Sequence, residues 1–206
     1  MPQLQLHMLR VAGVALIICD NFKKEINKDP VITASLVHDM GNIIKFNLRL
    51  FPENLKPQGL KYWEKVKKEF TKKFGDDEHF ATEEICREIG IEETTFKIIK
   101  GYGFSKGENT FHSNDFSLKI ATYSDHRISP FGVTKLIEKI NGSLERKYLN
   151  KTSSPQIMER VAKIKDCWKK IEQQIFNHTK ISPEDITDGE VTRLIPILRE
   201  YDIQTS

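Results

Sequence analysis

The chain has 206 residues, of which 38% are hydrophobic and 30% charged, with a formal net charge of +3. That length suffices to bury a core in one domain, or in one domain with an appendage. So small a charge, with lysines spread along the chain, leaves no basic block of the kind that binds nucleic acid. The three cysteines, Cys19, Cys86 and Cys167, lie far apart without metal-type pairing, which predicts free thiols in a reducing, cytoplasmic setting.

The first predicted helix covers residues 4–22. His7, Val11, Val14 and Ile18 follow at spacings of four, three and four, so His7 joins an inward apolar stripe. The apolar run 11–19 is followed by Asp20, Lys23 and Lys24 and is too short to span a membrane; it predicts a buried helix. Asp29-Pro30 reads as a helix start, with a capping carboxylate and a proline at the first helical position. The helix it opens carries Val31, Ile32, Ala34, Leu36 and Val37 and runs through His38-Asp39. Successive helical side chains point about 100° apart, so a cation above the ridge between these two can take a ligand from each. Gly41 permits close approach of a neighbour or ligand, and Ile43, Ile44 and Phe46 resume the apolar pattern.

Two prolines and Gly59 make residues 51–59 a loop. Residues 62–74 form a lysine-rich helix, read as a solvated face or as a cationic rim over an anionic substrate. Asp76-Asp77 cap the next helix, which has His79 in its first turn and ends near Gly90. A short helix spans 92–100. Residues 101–110 form a loop with His112 at its end. Asn114 or Asp115 caps a helix through Phe116, Leu118 and Ile120 that delivers Tyr123, Asp125 and Arg127. An inward, unpaired carboxylate at Asp125 is costly, which argues for a cation partner. Further helices are predicted over 133–151, disturbed at Asn141-Gly142, then over 155–177 after Ser154-Pro155, and over 191–201 with Pro196 as an awkward interior residue. No strand pair and no repeat is evident, so the predicted class is all-α.

His7, His38, Asp39, His79, His112 and Asp125 thus stand on or beside separate helical segments. Imidazoles and carboxylates converging from distant helices are how a helical bundle builds a metal site. With HMLRVA around His7, LVHDMGN around His38-Asp39, EHFATEEICREIG around His79 and ATYSDHRI around Asp125, the chain resembles the HD-domain superfamily of metal-dependent phosphohydrolases over residues 4–135.

The resemblance implies a helical core over residues 1–135 in which His7, His38, Asp39 and Asp125 hold a divalent metal. Residues 136–206 would be additional C-terminal helices packing on that core as part of one structural unit. In relatives with two ions, further histidines complete a second position, roles that His79 and His112 would fill. One or two ions are expected, with Mn, Fe, Zn, Mg, Co and Ni not distinguished. The implied chemistry is metal-activated attack of water on a phosphate ester of a small molecule, a nucleotide foremost, with Asp39 at its centre. Arg127, Arg10 and Lys45 are the candidates to meet the phosphate. Many relatives carry Lys or Glu where this chain has Asn42, an amide that can orient water or phosphate but cannot act as acid or base. The double-histidine motif of cyclic-dinucleotide phosphodiesterases is absent. A di-iron oxygenase using the same six ligands and a non-catalytic binding or regulatory module are the rival readings. Neither a membrane nor nucleic acid is expected as a partner; a second copy of the chain is an open one.

Overall fold

The computed structural model describes residues 1–50, 52–148 and 154–205. Among these residues ten α-helices follow in chain order. The first four are α1 (Pro2–Asp20), α2 (Asp29–Val37), α3 (Leu60–Phe74) and α4 (Glu78–Glu88). The next three are α5 (Glu93–Ile99), α6 (Gly107–His112) and α7 (Phe116–Asp125). The last are α8 (Leu136–Tyr148), α9 (Pro155–Phe176) and α10 (Asp188–Arg199). The all-α expectation therefore holds, with one addition. Residues Ile128–Ser129 (β1) and Gly132–Val133 (β2) pair antiparallel as a minimal hairpin. Two residues per strand offer no alternation to read, which is why the pair escapes a pattern search.

Helix α1 sits at the centre, against α2, α7 and α10. By length and apolarity it could cross a membrane. In this fold Leu9, Val11, Val14 and Ile18 are instead buried among the other helices. The main core runs from these residues through Val31 and Ile32 of α2, Phe96 and Ile99 of α5 and Tyr123 of α7. It continues to Trp168 and Ile171 of α9 and Leu198 of α10. A smaller core joins Ile43 and Ile44 to Phe74 of α3 and to Ala81 and Ile85 of α4. Met40 packs against both cores, so the turn after α2 is the seam between them.

Several predicted caps are in place. Asp77 accepts from the backbone N–H groups of His79 and Phe80, Asp115 from those of Ser117 and Leu118, and Ser154 from that of Ile157. Asp29 departs from expectation: it lies inside the first turn of α2, and its carboxylate accepts the Tyr201 hydroxyl at 2.7 Å. The loop predicted for 101–110 contains a 3-10 turn (Phe104–Lys106) and α6, docked on α9. A 3-10 turn also occupies Pro52–Leu55 of the loop predicted for 51–59, whose first residue lies outside the described residues. Helix α8 is unbroken at Asn141-Gly142; residues 149–151 of its predicted extent lie outside the described residues. Pro196 is tolerated near the end of α10, where it removes one backbone hydrogen bond. The three cysteines are buried free thiols, and burial pushes those of Cys19 and Cys86 up to about 12.

Candidate metal centre

The site is built where α2 stops being an α-helix. Its last residue is Val37, and His38 is its C-cap, so the doublet lies beyond the helix rather than within it. From there the backbone tightens: Met40, Asn42 and Ile44 donate N–H bonds to the carbonyls of Val37, Asp39 and Gly41, each three residues back. With three residues per turn the side chains of His38 and Asp39 splay wider than in an α-helix. Gly41 explains why the chain can turn here. A Cβ at this position would lie 2.3 Å from the Glu78 carbonyl oxygen and 2.8 Å from the Thr82 nitrogen. The first turn of α4 therefore sits directly on the glycine. The Thr82 hydroxyl seals the contact, accepting the Gly41 N–H at 2.9 Å while donating to the Glu78 carbonyl.

Four of the predicted ligands meet. His7 Nε2, from α1, lies 3.2 Å from Asp125 Oδ1 and 3.6 Å from Asp39 Oδ2. His38 Nε2 lies 3.6 Å from Asp39 Oδ1 and 3.8 Å from Asp125 Oδ1. The last two separations exceed a hydrogen bond, and His38 Nε2 is a buried polar atom with no hydrogen-bond partner among the described residues. Two ligand atoms about 2.1 Å from one ion stand about 3.0 Å apart at a right angle and about 3.4 Å at the tetrahedral angle. The His7–Asp125 separation falls in that range, and the other three, at 3.6–3.8 Å, lie a few tenths of an ångström beyond it, so the four side chains face one space that a shared cation would draw tighter. Among the described residues, the ligand atoms of His7, His38 and Asp39 all lie within 4.8 Å of one another, and Asp125 joins them through the two imidazoles rather than through Asp39.

The orientation of His38 is set from behind. Its Nδ1 lies 2.9 Å from the Ser35 carbonyl oxygen. A carbonyl only accepts, so Nδ1 carries the proton, and in the neutral ring Nε2 presents its lone pair to the cluster. The electrostatics without an ion follow from the same geometry. Burial opposes charge on His38, but the Asp39 and Asp125 carboxylates prevail and hold its pKa up at about 9. Burial likewise opposes the Asp125 carboxylate, and the His38 and His7 rings outweigh it, keeping that carboxyl well below its ordinary range. Imidazolium and carboxylate thus balance in the metal-free site, and an ion held there would take the place of a proton.

The other predicted site residues are placed differently. His79 is in the first turn of α4 as expected, but is exposed, 4.0 Å from the Glu78 carboxylate and beside Gly103, outside the four-residue cluster. His112 ends α6 rather than a loop; it is exposed, with its ring against Phe111. Neither is grouped with His7, His38 and Asp39 among the described residues. Arg127 is a clear correction. It is 4% exposed, and its guanidinium donates to the carbonyls of Thr134 and Pro183 and to the Tyr123 hydroxyl. It braces the chain after α7 against the C-terminal segment, and backbone carbonyls take the donors a phosphate would need. Lys45 is exposed and faces Glu78 at 3.5 Å, which leaves it on the flank of the turn. Asn42 is buried in the 3-10 turn. Arg10 is half-buried, one turn along α1 from His7, with no carboxylate paired to it among the described residues.

Sequence reasoning missed two residues that shape the site, Ser35 and Tyr102. Nothing in their neighbourhoods flags them: a serine in an apolar helix and a tyrosine between two glycines are ordinary. It also passed over His126, the C-cap of α7, which burial drives down to about 4 and which packs as a neutral ring 4.1 Å from Trp168.

No curated protein and no solved structure matches the chain. A family model described as HD domain matches residues 5–110, more than half of its length. That span holds His7, His38 and Asp39; Asp125 lies beyond it and reaches the cluster through the packing of α7 on α1 and α2. On the strength of that match and the ligand cluster it contains, the chain belongs to the HD domain family.

Proposed function

We propose that this protein is a divalent-metal-dependent phosphohydrolase acting on a small phosphorylated molecule, a nucleotide foremost, in the cytoplasm. The observation that carries the reading is the buried Nε2 of His38, which has no hydrogen-bond partner among the described residues and lies among a second imidazole and two carboxylates. An uncompensated buried donor or acceptor is costly, and a cation is the partner this donor set would take. His7, His38, Asp39 and Asp125 would hold the ion. When bound, it would supply Lewis acidity, acidifying water and drawing charge from a phosphoryl oxygen.

The protein's own groups divide the remaining work. The two Asp39 oxygens face different imidazoles, so this one carboxylate ties the two histidine-bearing segments together. Asp39, His7 and Asp125 keep about a fifth to a quarter of their side-chain surface exposed, which leaves an approach for water and substrate on that side. His38, at 2%, forms the floor. Arg10 is the cation best placed to meet a phosphate, since Arg127 is engaged elsewhere. The di-iron alternative needs a second pair of histidines at the cluster, and the exposure of His79 and His112 favours the phosphohydrolase reading over it.

The test is release of inorganic phosphate from a panel of nucleoside mono-, di- and triphosphates, with manganese present. The reading expects turnover that Asp39→Ala abolishes while helical content is kept. Turnover retained in Asp39→Ala would sink it.

A further inference from the structure

We propose that Tyr102 is a positioning residue of the metal centre, holding the plane and hydrogen bonding of His38 through its ring and its hydroxyl together. This rests on the reading that His38 Nε2 is a metal ligand.

Tyr102 stands between Gly101 and Gly103, just after α5, and is 4% exposed. Its ring lies on that of His38 with centroids 4.5 Å apart and planes 17° from parallel. Among the described residues no other ring packs so nearly parallel on His38; the His7 ring is 5.4 Å away and tilted by 58°. An imidazole bonded only through Nδ1 can still rotate about that bond. A flat aromatic surface against its face removes this freedom, so Nε2 stays aimed between Asp39 and Asp125.

The hydroxyl adds a second restraint. Ser35 Oγ donates to the Val31 carbonyl at 2.8 Å, which spends its only proton. Tyr102 Oη, 3.3 Å from the same Oγ, is therefore the donor in that contact. Ser35 is also the residue whose carbonyl accepts from His38 Nδ1. Tyr102 thus touches the ligand ring on its face and, through Ser35, the residue that orients its far side. Groups that orient metal-ligating histidines in this way typically change metal affinity by about 10–100-fold when removed. The flanking glycines suit the role. A Cβ at Gly101 would lie 2.1 Å from the Leu118 side chain, and Gly103 has a φ of +124°, so the tyrosine sits on a backbone path few other residues could follow.

The experiment is titration of metal-free protein with cobalt(II), following both affinity and the visible absorption band that reports cobalt geometry. Tyr102→Leu is compared with Phe96→Leu, which removes a buried aromatic from α5 whose ring faces Arg87 and Lys100 rather than His38. The proposal expects Tyr102→Leu to weaken cobalt binding by about 10–100-fold and to shift the band. Phe96→Leu should lower thermal stability and leave both readouts near wild type. Equal affinity and an identical band in the two variants would overturn it. If Tyr102→Leu does not fold, Tyr102→Phe and Ser35→Ala decide. Each should weaken binding toward the lower end, about 10-fold, and wild-type affinity in both would overturn the proposal. Failure of the wild-type protein itself to take cobalt would refute the metal-site reading, and the role of Tyr102 with it. Binding by wild type that Tyr102→Leu leaves unchanged refutes the role of Tyr102 alone.

Discussion

Gly41→Ala tests the contact that shapes the metal centre. The backbone at Gly41 is in the ordinary right-handed region, with φ −83° and ψ −7°, so alanine meets no conformational strain there. Chain entropy alone would favour the change by about 0.4–1 kcal/mol. Space opposes it. The new Cβ would sit 2.3 Å from the Glu78 carbonyl oxygen, 2.8 Å from the Thr82 nitrogen and 2.9 Å from the Ala81 Cβ. Ordinary contact begins at 3.4 Å, so the first turn of α4 must retreat by about 1 Å. None of the three atoms ends a flexible side chain, which puts the cost near the top of the usual overpacking range of about 1–3 kcal/mol. The net destabilisation is about 2 kcal/mol. In a chain of this size that lowers the melting temperature by roughly 4–8 °C. The retreat also breaks the Gly41 N–H bond to Thr82 two residues from Asp39, so metal uptake should fall as well. Thermal unfolding of metal-free protein followed by circular dichroism reads the first effect, and a manganese titration the second. Gly189→Ala is the control: only the Thr187 hydroxyl, at 3.7 Å, faces that position, and the variant should melt at or slightly above wild type. If Gly41→Ala melts with the control and binds manganese fully, the close approach of α4 is not what shapes the turn.

Two further predictions rest on charge. His38 is held at about 9, above the ordinary histidine value near 6.5. In metal-free protein its ion pairing therefore stabilises the fold fully below pH 6.5, and the contribution, up to about 3 kcal/mol, is lost as pH rises through 9. Metal binding must run the opposite way, because the proton on Nε2 leaves. Apparent affinity should rise about tenfold per pH unit from 7 toward 9 in a chelator-competition titration, and a flat profile would remove His38 from the ligand set. Arg127→Met should act on stability rather than on catalysis. It strips donors from the buried Tyr123 hydroxyl and from two half-buried carbonyls, a loss of roughly 2–4 kcal/mol in denaturant unfolding, while catalytic efficiency per metal-loaded molecule stays within a few-fold of wild type. A large fall in efficiency with unchanged stability would return Arg127 to the substrate.

The sequence made some features legible and concealed others for identifiable reasons. The helices followed from apolar periodicity and from caps such as Asp77 and Asp115, whose partners lie two or three residues away. Where a partner is distant, local reading failed. Asp29 looks like a cap, but Tyr201, across the fold, takes its carboxylate. Residues 107–112 look like a polar loop, but the bare Cα of Gly107 lets the Trp168 ring dock where a Cβ would come within 2.6 Å of it, and α6 forms under that contact. The His/Asp cluster was readable because its chemistry resides in residue type: only His, Asp and similar side chains could serve a metal, and few stand on inward faces. Arg127 was misread because its true partners are backbone carbonyls, to which every residue contributes alike. Tyr102 was invisible because its contacts with His38 and Ser35 exist only once the chain after α5 folds over the end of α2.

The central claim is that His7, His38, Asp39 and Asp125 hold a cation. Elemental analysis of protein purified without chelator, beside His38→Ala prepared identically, tests it most directly. The account predicts one equivalent of a transition metal in the wild type and its loss in the variant. It is contradicted if the wild type holds no metal even after reconstitution with manganese, iron or zinc, or if His38→Ala retains as much as wild type.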